Sequence, residues 1–206
     1  MERIKCVVFD VMGVIFEEAD DVAILLIPFI ERECGYARRD EIQRRYREAS
    51  LGLISARDFW VGISDDYPEV QRKYLDSCLK VDPNFFPTIE TLKEKYLLAI
   101  LSNDVGEWSK HLRDKHGYGK FFGEIVISSD VQSRKPDEKI YRILISRLQG
   151  RQIIPLQCIF IDDRLRNLKT AKDLGIKTIH LKKEEDSFDF QPDFTLRTLR
   201  EMQKIL

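Results

Sequence analysis

Short apolar runs recur along the chain, and segments of helical length separate most of them. Because the runs lack alternating polar positions, they predict strands buried on both faces of a parallel sheet. Between them, amphipathic segments predict helices at 106–115, 137–148 and 165–174. This alternation predicts a doubly wound α/β fold, a parallel sheet flanked by helices. The predicted strands are 4–9, 97–101, 124–128, 157–161 and 176–181, and segment 192–206 adds a short strand and a closing helix.

Residues 17–84 interrupt the alternation of strands and helices. Their apolar positions follow helical spacing, so they predict a small all-helical insertion after the first strand. Ser55 and Asp58 have the spacing of a capping box, and we expect Phe59 and Trp60 just after it to pack in a core. An insertion at this point would lie above the carboxyl ends of the strands, where such folds bind ligands. The predicted domains are a core at 1–16 and 85–206 and a helical cap at 17–84.

The composition argues against several classes of partner. With 34 basic and 35 acidic side chains, the net charge of -1 gives no attraction to nucleic acid or anionic membrane. The N-terminal residues run into a predicted strand, unlike a signal peptide, and the uncharged run 22–30 is too short to span a bilayer. The four cysteines lack metal-binding spacing, which indicates free thiols in a reducing compartment. We therefore predict a cytoplasmic monomer or homodimer without nucleic-acid or membrane partners.

Polar residues follow the predicted strands at the same end of each. Asp10 follows the first strand, Ser102 and Asn103 follow the second, Lys135 comes after the third, and the pair Asp162-Asp163 follows the fourth. The carboxyl ends of parallel strands meet at one crevice, so these side chains should lie together. Taken singly, each residue type is common in turns or on surfaces. Their joint order along the chain favours a functional site.

The residue types in this crevice suit phosphoryl transfer. Carboxylates from two strands can hold Mg²⁺, a hard cation that shares its coordination shell with phosphate oxygens. Asp10 could attack a phosphoryl group as nucleophile once the cation and Lys135 relieve the repulsion between two anions. The Ser102 hydroxyl and nearby groups, Asn103 among them, could bind phosphate oxygens.

Four stretches together resemble the ordered motifs of the haloacid dehalogenase-like hydrolase superfamily. They are VVFDVMGVIF, LLAILSND, SRKPDEKIY and CIFIDDRLRNLKTAKDLGIKTI, and the resemblance covers almost the whole chain. Within the superfamily, RKPDEKIY and GLISARDFW are most similar to the branch that contains alpha-D-glucose-1-phosphate phosphatases. The resemblance implies a Rossmann-like core with a helical cap and hydrolysis of a small phosphorylated metabolite, such as a sugar phosphate, with Mg²⁺ as cofactor.

The resemblance also implies roles for individual residues. Asp10 is similar to the nucleophile that becomes an aspartyl-phosphate, and Lys135 to the lysine that stabilises charge. Ser102 resembles the hydroxyl that binds phosphate. The metal ligands would be Asp10, the backbone carbonyl of Met12, and the pair Asp162 and Asp163, with Asp163 the more direct ligand of the pair; Asn167 would order the turn that follows.

Met12 departs from the family pattern, because most phosphatases of the superfamily have a second aspartate at this position. That aspartate protonates the leaving group and then activates water, which contributes typically 10²–10⁴-fold to the rate. Its loss leaves the nucleophile and the metal ligands in place. Glu17, Glu18 and Asp104 are candidate replacements, and Asp104 is the one expected nearest the site.

Two alternatives to a phosphatase remain open from the sequence. A 2-haloacid dehalogenase also lacks an acid at the position of Met12, but it needs no metal, which would leave Asp162 and Asp163 unexplained. A non-catalytic protein that binds a phosphorylated ligand or a protein partner would explain Met12. The otherwise complete set of site residues argues against that second alternative.

Overall fold

A six-stranded parallel sheet forms the centre of the molecule. The computed structural model describes residues 2–182 and 188–206, and every strand pair within them is parallel. The strands are β1 (Cys6–Phe9), β2 (Leu97–Ser102), β3 (Glu124–Ile127), β4 (Cys158–Asp162), β5 (Lys177–Leu181) and β6 (Phe194–Leu196). Their order across the sheet is β3-β2-β1-β4-β5-β6. The order reverses at β1, and this reversal creates a crevice at the carboxyl ends of β1, β2 and β4.

Helices cover both faces of this sheet. The α-helices of the described residues are α1 (Ile27–Cys34), α2 (Arg39–Ser50), α3 (Ala56–Trp60), α4 (Tyr67–Ser77), α5 (Phe85–Leu92), α6 (Gly106–His116), α7 (Ser128–Val131), α8 (Glu138–Gln149) and α9 (Leu165–Asp173). A π-helical turn, Val22–Leu26, leads directly into α1, and a 3₁₀ helix, Leu199–Lys204, closes the chain. None of the helices in the described residues is long and apolar enough to cross a membrane.

The α/β fold predicted from the sequence is confirmed. The five predicted core strands agree with the observed strands to within two residues, and the three predicted core helices to within one. The predicted C-terminal strand is β6, but the closing helix has 3₁₀ rather than α geometry. The ranges predicted for the core also include Met1 and residues 183–187, which lie outside the described residues.

The side chains of β1 divide between the two faces of the sheet, as the alternation of a strand requires. Val7 and Phe9 join one large apolar cluster, which also includes residues of the helices between β1 and β2. Cys6 and Val8 join a second cluster with residues of α8 and α9. All four side chains are fully buried. This two-sided burial explains why the strand reads as an unbroken apolar run that ends at the first charged side chain.

Helices α1 to α4 lie between β1 and β2, in the segment predicted to be helical. The chain enters and leaves this segment through two adjacent stretches held by backbone hydrogen bonds. The amide of Glu17 donates to the carbonyl of Lys80 at 2.9 Å, and the amide of Asp82 donates to the carbonyl of Ile15 at 2.9 Å. The predicted capping box is also present, because Ser55 and Asp58 cap the start of α3 reciprocally.

A partly buried glutamine joins the inserted helices to the core. The Oε1 atom of Gln71 in α4 accepts hydrogen bonds from the indole N–H of Trp60 in α3, at 3.0 Å, and of Trp108 in α6, at 2.6 Å. Both indoles are buried, and the ring of Phe59 packs edge-on against Trp108 at 5.2 Å. Phe59 and Trp60 therefore pack in the core, as predicted. One amide oxygen thus satisfies the indole donors of two buried tryptophans.

Replacement of Gln71 should therefore destabilise the fold. Gln71→Leu leaves both indole N–H groups without an acceptor, and each unsatisfied buried donor costs about 1–3 kcal/mol. We expect the free energy of unfolding to fall by about 2–4 kcal/mol in urea denaturation followed by tryptophan fluorescence. Gln149→Leu, the same change at an exposed position, is the control and should shift the value by less than about 0.5 kcal/mol. Equal effects of the two substitutions would contradict this account.

Candidate active site

The crevice at the switch of strand order brings the predicted residues together. Asp10 directly follows β1, while Ser102 ends β2 and Asp162 ends β4, the two neighbours of β1. The amide of Asp10 donates to the carbonyl of Ile161 at 2.9 Å, which fixes the end of β1 against β4. The parallel register of the sheet thus places three functional groups side by side. Lys135 reaches the same point from the segment between α7 and α8.

The ammonium group of Lys135 lies between two carboxylates. Its Nζ atom is 2.7 Å from Oδ1 of Asp10 and 2.7 Å from Oδ2 of Asp162, and the lysine side chain is 1% exposed. Burial alone would lower the pKa of Lys135, but the charges of Asp10 and Asp162 outweigh that effect and raise it. Lys135 therefore stays charged and offsets the repulsion between the two acids.

Asp162 is the fixed anchor of this cluster. It is completely buried, and the side-chain amide of Asn167 donates to both of its carboxylate oxygens at 3.0 Å. The backbone amide of Arg164 donates to Oδ1 at 2.8 Å, while Lys135 contacts Oδ2. Four contacts from three residues hold the carboxylate in one orientation. Asn167, predicted to order the turn after β4, contacts the carboxylate at the start of that turn.

Asp163 lies beside this anchor and lines the cavity. Gly13 packs against it so closely that a Cβ atom on Gly13 would lie 2.8 Å from the carboxyl carbon of Asp163. Gly13 also has φ of +74°, a backbone conformation that favours glycine. The glycine of the VMGV turn therefore lets the loop after β1 approach the acid that follows β4.

The three carboxyl groups described above form a cluster that fits a divalent cation. Asp10, Asp162 and Asp163 each place one oxygen within 4.8 Å of the others. Burial, followed by the negative charge of Asp162, raises the pKa of Asp10 to about 7 and that of Asp163 to about 8. Crowded buried acids of this kind favour a bound cation, and carboxylate oxygens are the ligands that Mg²⁺ prefers. Met12, predicted to add its backbone carbonyl, also lines the cavity.

The two predicted phosphate-binding residues of β2 have different surroundings. Ser102 lines the cavity, and its hydroxyl makes no hydrogen bond with the described part of the chain. The side chain of Asn103 is engaged with the backbone of Lys135, because its Nδ2 donates to the lysine carbonyl at 3.0 Å and its Oδ1 accepts from the lysine amide at 2.8 Å. In this structure the amide of Asn103 fixes the main chain that carries the buried lysine.

Comparison with known proteins identifies the family. A family model described as haloacid dehalogenase-like hydrolase matches residues 4–175, which is most of the chain. The chain belongs to this hydrolase family.

Individual relatives share less than a third of their residues with this chain over the matched regions, as three of them show. The chain is 28% identical to glyceraldehyde 3-phosphate phosphatase of Methanopyrus kandleri over 62% of its own length, and the match spans only 57% of that enzyme. It is 23% identical to D-ribitol-5-phosphate phosphatase of Bacteroides thetaiotaomicron, covering 94% of this chain and 98% of the relative. Among solved structures, a HAD phosphatase from Thermococcus onnurineus has a TM-score of 0.75 at 25% identity, covering 98% of this chain and 97% of that one.

The candidate replacements for the acid missing from this haloacid dehalogenase-like chain lie outside the cavity lining. Glu17, Glu18 and Asp104 are not among the described residues that line the cavity. Burial, and then the charge of Asp21, raises the pKa of Asp104 to about 8. Asp104 therefore carries a proton near neutral pH, but it faces the interior. We expected Asp104 to lie nearer the site than Glu17 and Glu18, but its side chain is absent from the cavity lining, as theirs are.

The cavity above the carboxylates contains residues that the sequence analysis missed. Its volume is about 570 Å³, and its walls come from the loops after the strands and from the inserted helices. The missed residues include Asp21, Tyr46, Arg47, Arg134 and Arg164. Burial, and then the charge of Asp20, raises the pKa of Asp21 to about 6, while the hydroxyl of Tyr74 donates to its Oδ2 at 3.3 Å. Of these missed residues, only Arg134 could have been predicted from the sequence, because it directly precedes Lys135.

The raised pKa values predict a pH-dependent effect of Mg²⁺ on stability. Asp10 and Asp163 ionise only as pH rises through about 7 and 8, and they would ionise near 3.8 when unfolded. Without metal, the free energy of unfolding should therefore fall as pH rises from about 4 to about 8, because the unfolded chain loses these protons before the folded protein does. A bound cation needs the ionised carboxylates. We expect 5 mM Mg²⁺ to raise the melting temperature more at pH 8 than at pH 6, as measured by differential scanning calorimetry against EDTA.

Two variants test whether this effect arises at the cluster. Asp163→Asn replaces a carboxylate ligand by a neutral amide and should abolish most of the increase caused by Mg²⁺. Asp104→Asn is the matched control, because Asp104 is also buried with a raised pKa but lies outside the cavity lining. It should keep the full increase. An increase of the same size at pH 6 and pH 8 would contradict the assignment.

Proposed function

We propose that this protein is a Mg²⁺-dependent phosphomonoester hydrolase that acts on a small phosphorylated metabolite through an aspartyl-phosphate at Asp10. One observation carries the proposal: the carboxylate of Asp10 lies at the reversal of strand order, 2.7 Å from the buried ammonium of Lys135 and within the three-carboxylate cluster. Membership of the haloacid dehalogenase-like hydrolases supports it. The phosphatases among the relatives, two of them acting on a triose phosphate and a pentitol phosphate by name, support the substrate class.

The chain's own residues supply most of the chemistry. One Oδ of Asp10 attacks phosphorus, the bond from phosphorus to the ester oxygen breaks, and the leaving alcohol takes up a proton. Water then attacks the aspartyl-phosphate, which releases phosphate and restores the carboxylate. Lys135 offsets the approach of two anions, and the Ser102 hydroxyl donates to a phosphate oxygen. Asp10, Asp162, Asp163 and the backbone carbonyl of Met12 would hold Mg²⁺, which would add charge neutralisation.

Met12 sets the expected range of substrates. Its side chain cannot donate a proton to the leaving oxygen, and the candidate replacements Glu17, Glu18 and Asp104 do not line the cavity. Hydrolysis should therefore favour esters whose leaving groups need little protonation, such as anomeric, aryl or acyl phosphates. Alkyl phosphates should be slower by up to the 10²–10⁴-fold that a general acid typically contributes.

The inserted helices would act as a cap over this reaction. Residues 17–84 contribute part of the cavity wall, and Asp10, Lys135 and Asp163 contribute another part. A cap in this position would exclude water during transfer and select the organic part of the substrate. On this proposal the core comprises residues 1–16 and 85–206.

A non-catalytic role is the second candidate, and Met12 is the observation that favours it. A protein that only binds a phosphorylated ligand would need no general acid, but it would not need a nucleophile held by a buried lysine either.

A 2-haloacid dehalogenase requires no metal, and this function would leave the cluster of Asp10, Asp162 and Asp163 unexplained. Chloride release from 2-chloropropionate in EDTA would identify that activity.

A panel of phosphate esters tests the proposal. With Mg²⁺, the native protein should release phosphate from acetyl phosphate, p-nitrophenyl phosphate or glucose 1-phosphate. Asp10→Asn should lower kcat by about three orders of magnitude or more, since the nucleophile is lost. Met12→Asp should raise the rate on an alkyl ester such as glycerol 3-phosphate by about 10²-fold or more, and less on the aryl ester.

The outcomes separate the candidates. Activity that survives Asp10→Asn would contradict the mechanism. A native protein without activity, combined with an active Met12→Asp variant, would favour the binding role. Melting temperatures of both variants within a few degrees of the native value would show that neither result comes from misfolding.

A further inference from the structure

Two consecutive residues, Arg134 and Lys135, direct their positive charges to different partners. The side chain of Lys135 contacts Asp10 and Asp162 at the strand ends. The side chain of Arg134 instead reaches α2 in the insertion, where its Nη1 donates to the hydroxyl of Ser50. Both residues line the same cavity. A molecule with its phosphate near Lys135 would therefore have a second cationic group within the same cavity.

The guanidinium of Arg134 lies in the cavity wall without an ion pair among the described residues. Its guanidinium is partly buried and lies over the ring of Tyr46, 5.8 Å from the ring centroid, and it forms no ion pair with a described residue. Burial lowers the pKa of Arg134; Tyr46 and Asp104 oppose this shift, and the positive charge of Arg47 adds to it. Guanidinium groups have five N–H donors, and here the Nε and Nη2 donors have no partner among the residues described. Charges removed from water are usually paired, so this one is an exception.

Neighbouring arginines of the cavity show the contrast. Arg44 is paired with Glu48 at 2.8 Å, as expected for a helix surface. Arg47, also on α2, has no acidic partner within the described part of the chain, and its charge acts on Arg134. Two like charges therefore lie on the cavity wall without an ion pair among the described residues, although the acids Asp21 and Asp40 line the same cavity. Such a pair is unfavourable until an anion lies between or beside them.

We propose that Arg134, assisted by Arg47, binds a second anionic group on the substrate, so that the protein prefers phosphate esters whose organic part carries a carboxylate or another phosphate. This inference rests on the proposed phosphatase function for its catalytic readout. A guanidinium recognises both groups through two parallel N–H donors. The contact with Tyr46 and the hydrogen bond to Ser50 hold the guanidinium in place before the ligand arrives, which reduces the entropy lost on binding.

A purely structural role is the alternative to this inference. Arg134 lies near the C-terminal end of α2, where a cation stabilises the helix dipole, and its bond to Ser50 joins the core to the insertion. Such a role would change the melting temperature without changing the preference among substrates. The two roles therefore differ in a measurable quantity, the ratio of kcat/KM values for matched esters.

Matched pairs of substrates provide that ratio. Glycerate 3-phosphate and glycerol 3-phosphate differ by a carboxylate in place of a hydroxymethyl group, and fructose 1,6-bisphosphate and fructose 6-phosphate differ by a second phosphate. In the native protein with Mg²⁺, kcat/KM should be at least tenfold higher for the doubly anionic member of one or both pairs. The pair that shows the preference identifies the second group as carboxylate or phosphate.

Variants assign the preference to the guanidinium. Arg134→Gln should reduce the ratio to near one, mainly through KM, while kcat on p-nitrophenyl phosphate changes less than about threefold. Arg134→Lys keeps the charge without the two parallel donors, and it should give an intermediate ratio. Arg44→Gln is the matched control and should leave the ratio unchanged, because the charge of Arg44 is already paired with Glu48.

A binding measurement keeps this inference separate from the catalytic proposal. Calorimetric titration of the Asp10→Asn protein with Mg²⁺ should show tighter binding of the doubly anionic ester, and Arg134→Gln in that background should remove the difference. If the native protein hydrolyses no ester, the proposed function fails and this titration alone decides the inference. A native protein without preference in both titration and turnover, or a preference that survives Arg134→Gln, would overturn it.

Discussion

The buried ammonium of Lys135 is the interaction on which the site depends. Two carboxylates at the ends of adjacent parallel strands would repel each other strongly in a medium from which water is excluded. Lys135 lies 2.7 Å from both and makes their proximity tolerable. A buried ion pair offsets its desolvation only when its geometry is well fixed, and Asn103 and Asn167 provide that fixation from the two sides. With this charge in place, the order of the strands is enough to bring the site residues together.

The charge of the cluster explains why a cation fits it. Three carboxylates and one ammonium carry a net charge of about -2 when all are ionised, which a divalent ion would balance. Without a cation, the cluster reduces its charge by holding protons, and the raised pKa values of Asp10 and Asp163 express this tendency. Metal binding and proton retention are thus two responses to the same burial of charge. Met12 leaves this balance unaltered, since a thioether adds no charge.

The sequence predicted the parts of the structure that short-range pattern determines. Unbroken apolar runs located the strands, and the rule that ligands bind at the carboxyl ends of parallel strands brought Asp10, Ser102 and Asp162 together. What the sequence could not predict depends on how the inserted helices pack over the sheet. Arg134 and Asp21 gain their surroundings from α2 and α4, whose placement no local pattern encodes. Asp104 shows the converse, because its backbone follows β2 as predicted while its side chain turns away from the cavity.

The most direct test of the central claim is the chemical identity of residue 10 during turnover. The protein should be quenched in acid while it hydrolyses acetyl phosphate or another accepted ester, and then treated with borohydride, which reduces an aspartyl-phosphate to homoserine. Peptide mass spectrometry should find homoserine at position 10 in the native protein and none in Asp10→Asn. Steady release of phosphate with residue 10 unmodified, or with homoserine at another aspartate, would contradict the account.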